Sequence, residues 1–295
     1  WRGGVLVASA PIVLFAKDTD GDGRADVRRT LFEGFFEGNH QLRINGLNWG
    51  LDNRVHGASG AVTIGYGGAN NIRSGVSGKS VMIRSGDFRF DPDTGWIEPT
   101  SGPSQYGRVR DDWGNWFGVH NSHPLWHYVL PARYLRRNPD VTYPDSRRQV
   151  RTPRNPRVFA NKPPQKRFHS FEQSGRFTSA CGPSIYRDTI LFGRSGVTHA
   201  FTCEPFHNVI QRSVIREDGV SFSGERADDG ERDFFASADR WSRPVFTRTG
   251  PDGALWFADM YRYMIEHPHW LPKNGQDELR PHFRSGDTFG RIYRI

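Results

Sequence analysis

Nine residues, Asp18-Thr19-Asp20-Gly21-Asp22-Gly23-Arg24-Ala25-Asp26, hold the densest cluster of chemically capable side chains in the chain. Asp18, Asp20 and Asp22 alternate, Gly23 follows, and Asp26 comes four positions after Asp22. A calcium loop of the EF-hand type takes oxygens at positions 1, 3, 5, 7 and 9, glycine at 6 and a bidentate Glu at 12. Counted from Asp18, the glycine and the ligands at 1, 3, 5 and 9 are in place, with the backbone oxygen of Arg24 at position 7. The twelfth residue is Arg29, so the closing ligand is missing. The preceding stretch is rich in Val, Ile and Leu and contains Pro11, which reads as strand and not as an entering helix. The expectation is a calcium loop slung between two strands, ligated by Asp18, Asp20, Asp22, the Arg24 carbonyl and Asp26. The competing reading is a bare Asp/Gly turn. Four carboxylates this close repel one another unless a cation joins them, which favours the metal.

Other reactive types are sparse. Cys181 and Cys203 are the two cysteines, and the text between them reads strand, turn, strand. A hairpin there sets the two opposite each other. A disulfide would close a loop of about 22 residues, a stabilisation on the order of 3 kcal/mol, and would suit an oxidising compartment. The alternative is a pair of buried thiols. His120, His123 and His127 lie close in sequence, but on one strand 120 and 123 face opposite ways, and Pro124 opposes a helix. Structural histidines are expected rather than zinc ligands. Val76-Ser77-Gly78-Lys79-Ser80 lacks the upstream glycine of a phosphate loop, since Arg73 stands there. No Gly-x-Ser-x-Gly elbow occurs.

The elements that must carry these residues read as short strands. Residues 44–60, 87–99, 209–224 and 247–260 each run strand, Gly/Asn/Asp turn, strand, and 114–131 adds aromatic strand text. With 33 Gly, 19 Pro and 13% aromatics, the 295-residue chain is expected to be all-β. Recurrent small antiparallel sheets suggest a β-propeller of about five blades at roughly 45 residues each, part of a larger propeller; a β-sandwich is the alternative. A single domain over 1–295 is expected, N-terminally incomplete. The longest apolar run, Val5 to Ala16, is too short to cross a bilayer, so no transmembrane segment is expected. The net charge of +8 is concentrated in residues 131–168, which hold eleven Arg or Lys against two Asp, together with seven Pro. That stretch reads as a solvated Arg/Pro excursion without regular structure. It lacks the folded basic face that nucleic acid requires.

Several stretches together carry a family resemblance: DTDGDGRADVRRTLFEGF, HQLRINGLNWGLDNRVHG, DDWGNWFGVHNSHPLWHYVLP, FTSACGPSIYRD, FTCEPFHNVI and RTGPDGALWFADMYRYMIEHPHW. They resemble, in order and over almost the whole chain, the Planctomycetes–Verrucomicrobia membrane-bound dehydrogenase propeller domain. That domain is itself similar to soluble quinoprotein sugar dehydrogenases. The resemblance implies an exported or periplasmic protein that oxidises a sugar or polyol hydroxyl. It implies pyrroloquinoline quinone (PQQ) as cofactor and a c-type cytochrome as onward acceptor. In such enzymes the base precedes a Gly-x-Asp-Gly turn, and His40, ahead of Asn45-Gly46-Leu47 and Gly50-Leu51-Asp52-Asn53, matches by context at a spacing about two residues longer. Arg43, Arg176, Arg243 and Arg262, near strand starts, are the candidate cations for the cofactor's carboxylates. The Asp-rich loop would then be a structural calcium site. A non-catalytic propeller that binds glycans or a partner protein is the alternative function, and the aromatic stretches DWGNWFG (112–118) and WHY (126–128) could stack on sugar rings in either case.

Overall fold

The computed structural model describes residues 1–61, 68–138, 140, 145–162, 175–265 and 271–295. Among these, strands dominate, and they form five antiparallel sheets. The helices among the described residues are short and include α1 (Ala132–Leu135), α2 (Lys273–Leu279) and the one-turn 3-10 helices His40–Leu42 and Arg280–His282. The chain gathers into two compact units. The first is Trp1–Gly118 with Tyr128–Arg147, and the second is Val119–His127 with Arg148–Ile295.

The first unit contains two interlocked sheets. One is ordered β1-β2-β3-β6-β7, with β1 (Val5–Ser9), β2 (Ile12–Lys17), β3 (Val27–Glu33), β6 (Asn70–Ser74) and β7 (Ser80–Ile83). The other is ordered β4-β5-β8-β9, with β4 (Asn45–Trp49), β5 (Val55–Ala58), β8 (Asp87–Asp91) and β9 (Trp96–Thr100). The chain leaves the first sheet after β3, builds the β4–β5 hairpin in the second, and returns to pair β6 with β3. Phenylalanines join the two in one core: Phe32 meets Phe90 edge-on at 4.9 Å, and Phe35 packs on Phe88 at 5.0 Å. Ring pairs tilted or edge-on in this way add to plain burial.

A four-stranded sheet, β10 (Arg108–Arg110), β11 (Trp116–His120), β12 (His123–Tyr128) and β13 (Arg147–Gln149), follows in sequence order. The second unit contains the meander β14 (Cys181–Tyr186), β15 (Thr198–Glu204), β16 (Val209–Asp218) and β17 (Ser221–Arg226). The short β18 (Phe235–Ala236) pairs with β16. A three-stranded sheet of β19 (Pro244–Thr249), β20 (Leu255–Asp259) and β21 (Arg291–Arg294) completes it. In each unit the first strands of neighbouring sheets adjoin. Asn45 Nδ2 on β4 donates to Gln105 O, just ahead of β10, at 2.7 Å. Thr247 Oγ1 on β19 donates to Gly182 O on β14 at 3.0 Å.

The expected hairpins form, because their turn residues adopt the left-handed conformations that the tight connections need. Gly253, between β19 and β20, has φ 80°, and a Cβ there would lie 2.6 Å from the Asp188 carboxylate. The acidic loop lies between β2 and β3.

Three expectations are corrected. Cys181 and Cys203 are register partners across β14 and β15, but both are free, buried thiols, not a disulfide. Burial, then the neighbouring thiol and Glu204, push the Cys181 thiol well up, and burial with Glu204 does the same to Cys203; little thiolate is present to react. The 131–168 stretch is not wholly irregular, since it contributes α1 and β13. One of its cations is turned inward: Arg151 is buried and donates to Gln211 Oε1 at 3.1 Å and to Gly224 O at 3.3 Å. Residues 139, 141–144 and 163–168 of the stretch lie outside the described residues. His120 and His123 do not sit on one strand. They close β11 and open β12, and their rings meet edge-on at 5.6 Å.

Candidate functional site

In the first unit, the turns that follow β4 and β10 border a cavity of about 250 Å³. Leu51 and Asp52 come from the first turn, Trp113 and Gly114 from the second. The second turn is rigid. Asp111 Oδ1 accepts from the backbone N–H groups of Trp113 at 3.0 Å and Asn115 at 2.9 Å, and its Oδ2 accepts from Asn115 Nδ2 at 2.7 Å. Gly114 has φ 86°, and a Cβ there would press on Leu51 at 3.2 Å. The locked turn holds Trp113 outward, 63% exposed. Strands supply the rest of the wall: His56 from β5, Arg89 from β8, Thr100 from β9, Arg108 from β10 and Trp116 from β11. Ser101 is fixed beside them, donating from Oγ to Leu130 O at 2.9 Å and accepting from Ala132 N at 2.8 Å.

Charge in this wall is paired by position. Arg108 is buried, donates to Asp87 Oδ2 at 2.9 Å, and lies over the rings of Trp116 at 4.7 Å and Tyr128 at 4.8 Å. Arg89 is held between Asp52 and Glu98. Arg133, at the rim, is exposed, bonds the Tyr134 hydroxyl, and meets no carboxylate among the described residues. His56 stacks on Trp116 at 4.1 Å, with Nε2 3.2 Å from both Asp52 oxygens. Burial first, then the Arg108 guanidinium, push its imidazole down to about 3 against the pull of Asp52. A neutral ring facing a carboxylate must carry its proton on Nε2, so Nε2 donates to Asp52.

That depression has a measurable consequence. The unfolded chain protonates His56 near pH 6.5, while the folded chain resists down to about 3. The contribution to stability is therefore complete above pH 6.5 and is lost as pH falls towards 3. Between pH 7.5 and pH 5 the loss is expected to be about 2 kcal/mol. In the second unit burial and Arg212 lower His199 to about 4, which acts in the same direction. Urea midpoints measured across this range should fall with pH, and the slope should flatten in a His56→Gln variant. An unchanged slope in that variant would mean that His56 is not the group responsible.

The residues singled out from sequence sit elsewhere. His40 is exposed on the 3-10 helix that leads into β4, and its N-cap Asn39 accepts from Gln41 N at 2.9 Å. The cavity borders the far end of β4, so His40 does not line it. Arg43 donates through Nε and Nη2 to Glu37 O. Arg176 donates to Asn155 O. Arg243 is buried and binds the carbonyls of Arg262, Pro205, Phe206 and Tyr263 through Nε, Nη1 and Nη2. The Nη1 of Arg262 serves the carbonyls of Met260, Tyr261 and Gly286. The arginines thus bond backbone oxygens. Arg43, Arg176 and Arg243 each stand just ahead of the first strand of a sheet (β4, β14 and β19), while Arg262 follows β20. The cavity residues were not singled out, apart from Trp113, Gly114, Trp116 and Tyr128, which fall within the two aromatic stretches noted as stacking surfaces. The signal within reach was Asp52 and His56 four apart across a Gly-x-Asp turn.

In the acidic loop, one oxygen from each of Asp18, Asp20 and Asp22 lies within 4.8 Å of the others. Asp18 accepts from the N–H groups of Gly21 at 2.7 Å and Gly23 at 2.9 Å, which hold its carboxyl below the usual range. Asp26 Oδ2 accepts from Thr19 N and Oγ1, both at 2.8 Å, with the same effect on its acidity. A set of ionised, backbone-braced oxygens suits a hard cation such as calcium.

Solved structures similar to this chain include a glucose dehydrogenase at 13% identity, with a TM-score of 0.43 over 87% of this chain and 73% of that one. The soluble aldose sugar dehydrogenase of Escherichia coli in its apo-form is similar at 14% identity and a TM-score of 0.44, over 87% and 74%. A virginiamycin B lyase from Staphylococcus aureus is similar at 10% identity and a TM-score of 0.36, over 89% and 82%. Likenesses this distant carry no argument about activity. No curated protein matches the chain. Over its whole length, residues 1–295, the chain belongs to the family described as a domain of unknown function (DUF7133).

Proposed function

We propose that this chain is a β-propeller of the quinoprotein dehydrogenase type, oxidising a sugar or polyol hydroxyl. The observation that carries the reading is the position of His40: an exposed imidazole on a capped turn directly ahead of β4, the first strand of its sheet. In a propeller the four-stranded sheets surround a central channel. Adjoining first strands, as in β4 with β10 and in β14 with β19, are the arrangement that lines such a channel. The resemblance in the His40–Gly57 stretch supplies the chemistry.

In this reading His40 accepts the substrate hydroxyl proton on an imidazole nitrogen as the carbon is oxidised. PQQ, when bound, supplies the acceptor for the hydride. Arg43, three residues after His40 in the first unit, is the cation offered to its carboxylates. Arg243 fits this role poorly, because its Nε, Nη1 and Nη2 all serve carbonyls. The protein would work outside the cytoplasm and pass electrons to a c-type cytochrome. Reconstitution with PQQ and calcium, followed by dye reduction across aldoses and polyols, tests the reading. Turnover with a bound quinone absorbance supports it. Absence of both leaves the second reading, a non-catalytic propeller that binds glycans or a partner, which the outward Trp113 favours.

Calcium belongs to the 18–26 loop as a structural ion. At a hundredfold excess over its Kd it should stabilise the protein by about 2.7 kcal/mol. A chelator should lower the Tm of the parent, whereas Asp18→Ala should have a low Tm that no longer responds to the chelator. A chelator effect of equal size in both proteins would remove calcium from this loop.

A further inference from the structure

We infer that the cavity between the β4–β5 and β10–β11 turns binds an acidic sugar, a single hexuronate ring or the uronate terminus of a glycan. The inference rests on the cavity alone and stands apart from the redox reading at His40, which lies at the other end of β4.

Size comes first. About 250 Å³ falls below the roughly 300–1,000 Å³ of drug-sized sites, which is room for one ring. Shape and apolarity come next. Trp113 is 63% exposed on a turn that three hydrogen bonds to Asp111 hold rigid, with Leu51 packed behind Gly114. A large aromatic face kept in water on an immobile support is a preorganised stacking surface, and the C–H face of a pyranose fits it.

Polarity then sets the class. Asp52 is braced by His56, Arg89 and the Arg54 N–H while its own side chain stays 35% exposed, so one lone pair is left to accept a ligand hydroxyl. Arg89 and Arg108 already hold carboxylates of the protein. Arg133 is the guanidinium of this wall that holds none among the described residues. A ligand that satisfies both ends presents a hydroxyl to Asp52 and one carboxylate to Arg133. A neutral sugar leaves Arg133 without a counter-charge. A phosphate dianion brings a second charge towards Asp52 with no second unpaired cation in the wall.

Calorimetric titration of the full chain with glucuronate, methyl glucoside and glucose 6-phosphate tests the inference, with a dye-reduction assay run beside it. Glucuronate should bind saturably and about tenfold more tightly than methyl glucoside, since one charge-assisted pair is at stake. Arg133→Ala should abolish that preference and leave methyl glucoside unaffected. Trp113→Ala should weaken both sugars about tenfold, and Trp113→Tyr should restore part of the loss. Both positions are exposed, and circular dichroism checks that the variants fold. The inference is overturned if glucuronate fails to bind or binds no better than methyl glucoside. Tighter binding of glucose 6-phosphate, or parent-like binding by both alanine variants, overturns it equally. Dye-reduction turnover should not follow these substitutions, so a failure here and a failure of the dehydrogenase reading are told apart.

Discussion

Asp87→Ala is expected to destabilise the first unit by about 3–5 kcal/mol, because it strands a buried guanidinium. Asp87 is fully buried and accepts four hydrogen bonds. Its Oδ1 takes the N–H groups of Ser59 at 3.0 Å and Ser104 at 2.8 Å, and its Oδ2 takes Ser104 Oγ at 2.7 Å and Arg108 Nη1 at 2.9 Å. The Arg108 side chain is 3% exposed and lies over two aromatic rings, so no path to solvent opens for the charge once its partner is gone. Two backbone donors lose their acceptor in the same step. Asp87→Asn keeps an acceptor oxygen but removes the counter-charge, and should fall between parent and alanine. Arg108→Met should cost less than Asp87→Ala, since a carboxylate with three remaining donors is better satisfied than a guanidinium left with the Ser101 carbonyl and no counter-charge. The measurement is the urea midpoint at constant m-value. A cost below 1 kcal/mol for Asp87→Ala would show that the pair contributes little, and the cavity wall would then need another explanation for its rigidity. Because Arg108 also forms part of that wall, Asp87→Ala should weaken glucuronate binding as well, whereas distant surface substitutions should not.

The hairpins were legible because their determinants are local. A Gly/Asn/Asp turn between two alternating stretches names both the connection and the register, and β8–β9, β16–β17 and β19–β20 formed where the turns predicted. The interlocking of the first two sheets was not legible. Pairing β3 with β6 requires the chain to cross over the β4–β5 hairpin, and nothing near Phe32 or Ser74 records that they will be neighbours. The cavity was hidden for the same reason: Arg89 reaches Asp52 across 37 residues, and Arg108 reaches Asp87 across 21. Sequence marks where cations stand but not what they bond. Arg243 reads the same whether it holds a ligand carboxylate or, as found, four backbone carbonyls. For the cysteines, the hairpin correctly placed Cys181 opposite Cys203. Opposition is necessary for a disulfide but does not fix the Cβ geometry that the bond requires.

On the proposed chemistry, His40→Ala lowers the turnover of PQQ-reconstituted protein by roughly 10²–10⁴-fold, the usual contribution of a positioned general base. Stability should stay within about 0.5 kcal/mol, since the imidazole is exposed and the turn that carries it is capped by Asn39, not by His40 itself. This separation is what makes the variant informative, because lost activity with an unchanged melting profile cannot be attributed to unfolding. His40→Gln offers hydrogen bonds without a usable base, and should match the alanine variant if proton removal is the role or the parent if mere positioning is. Added imidazole should restore part of the alanine variant's rate in proportion to its free-base concentration. Arg43→Ala should act differently, raising the PQQ concentration needed for half-saturation while leaving kcat at saturation close to the parent value. His56→Gln, on the far side of β4, should leave kcat unchanged. Full turnover in His40→Ala would remove the base from this position, and a loss of turnover in His56→Gln equal to that in His40→Ala would move the chemistry to the cavity instead.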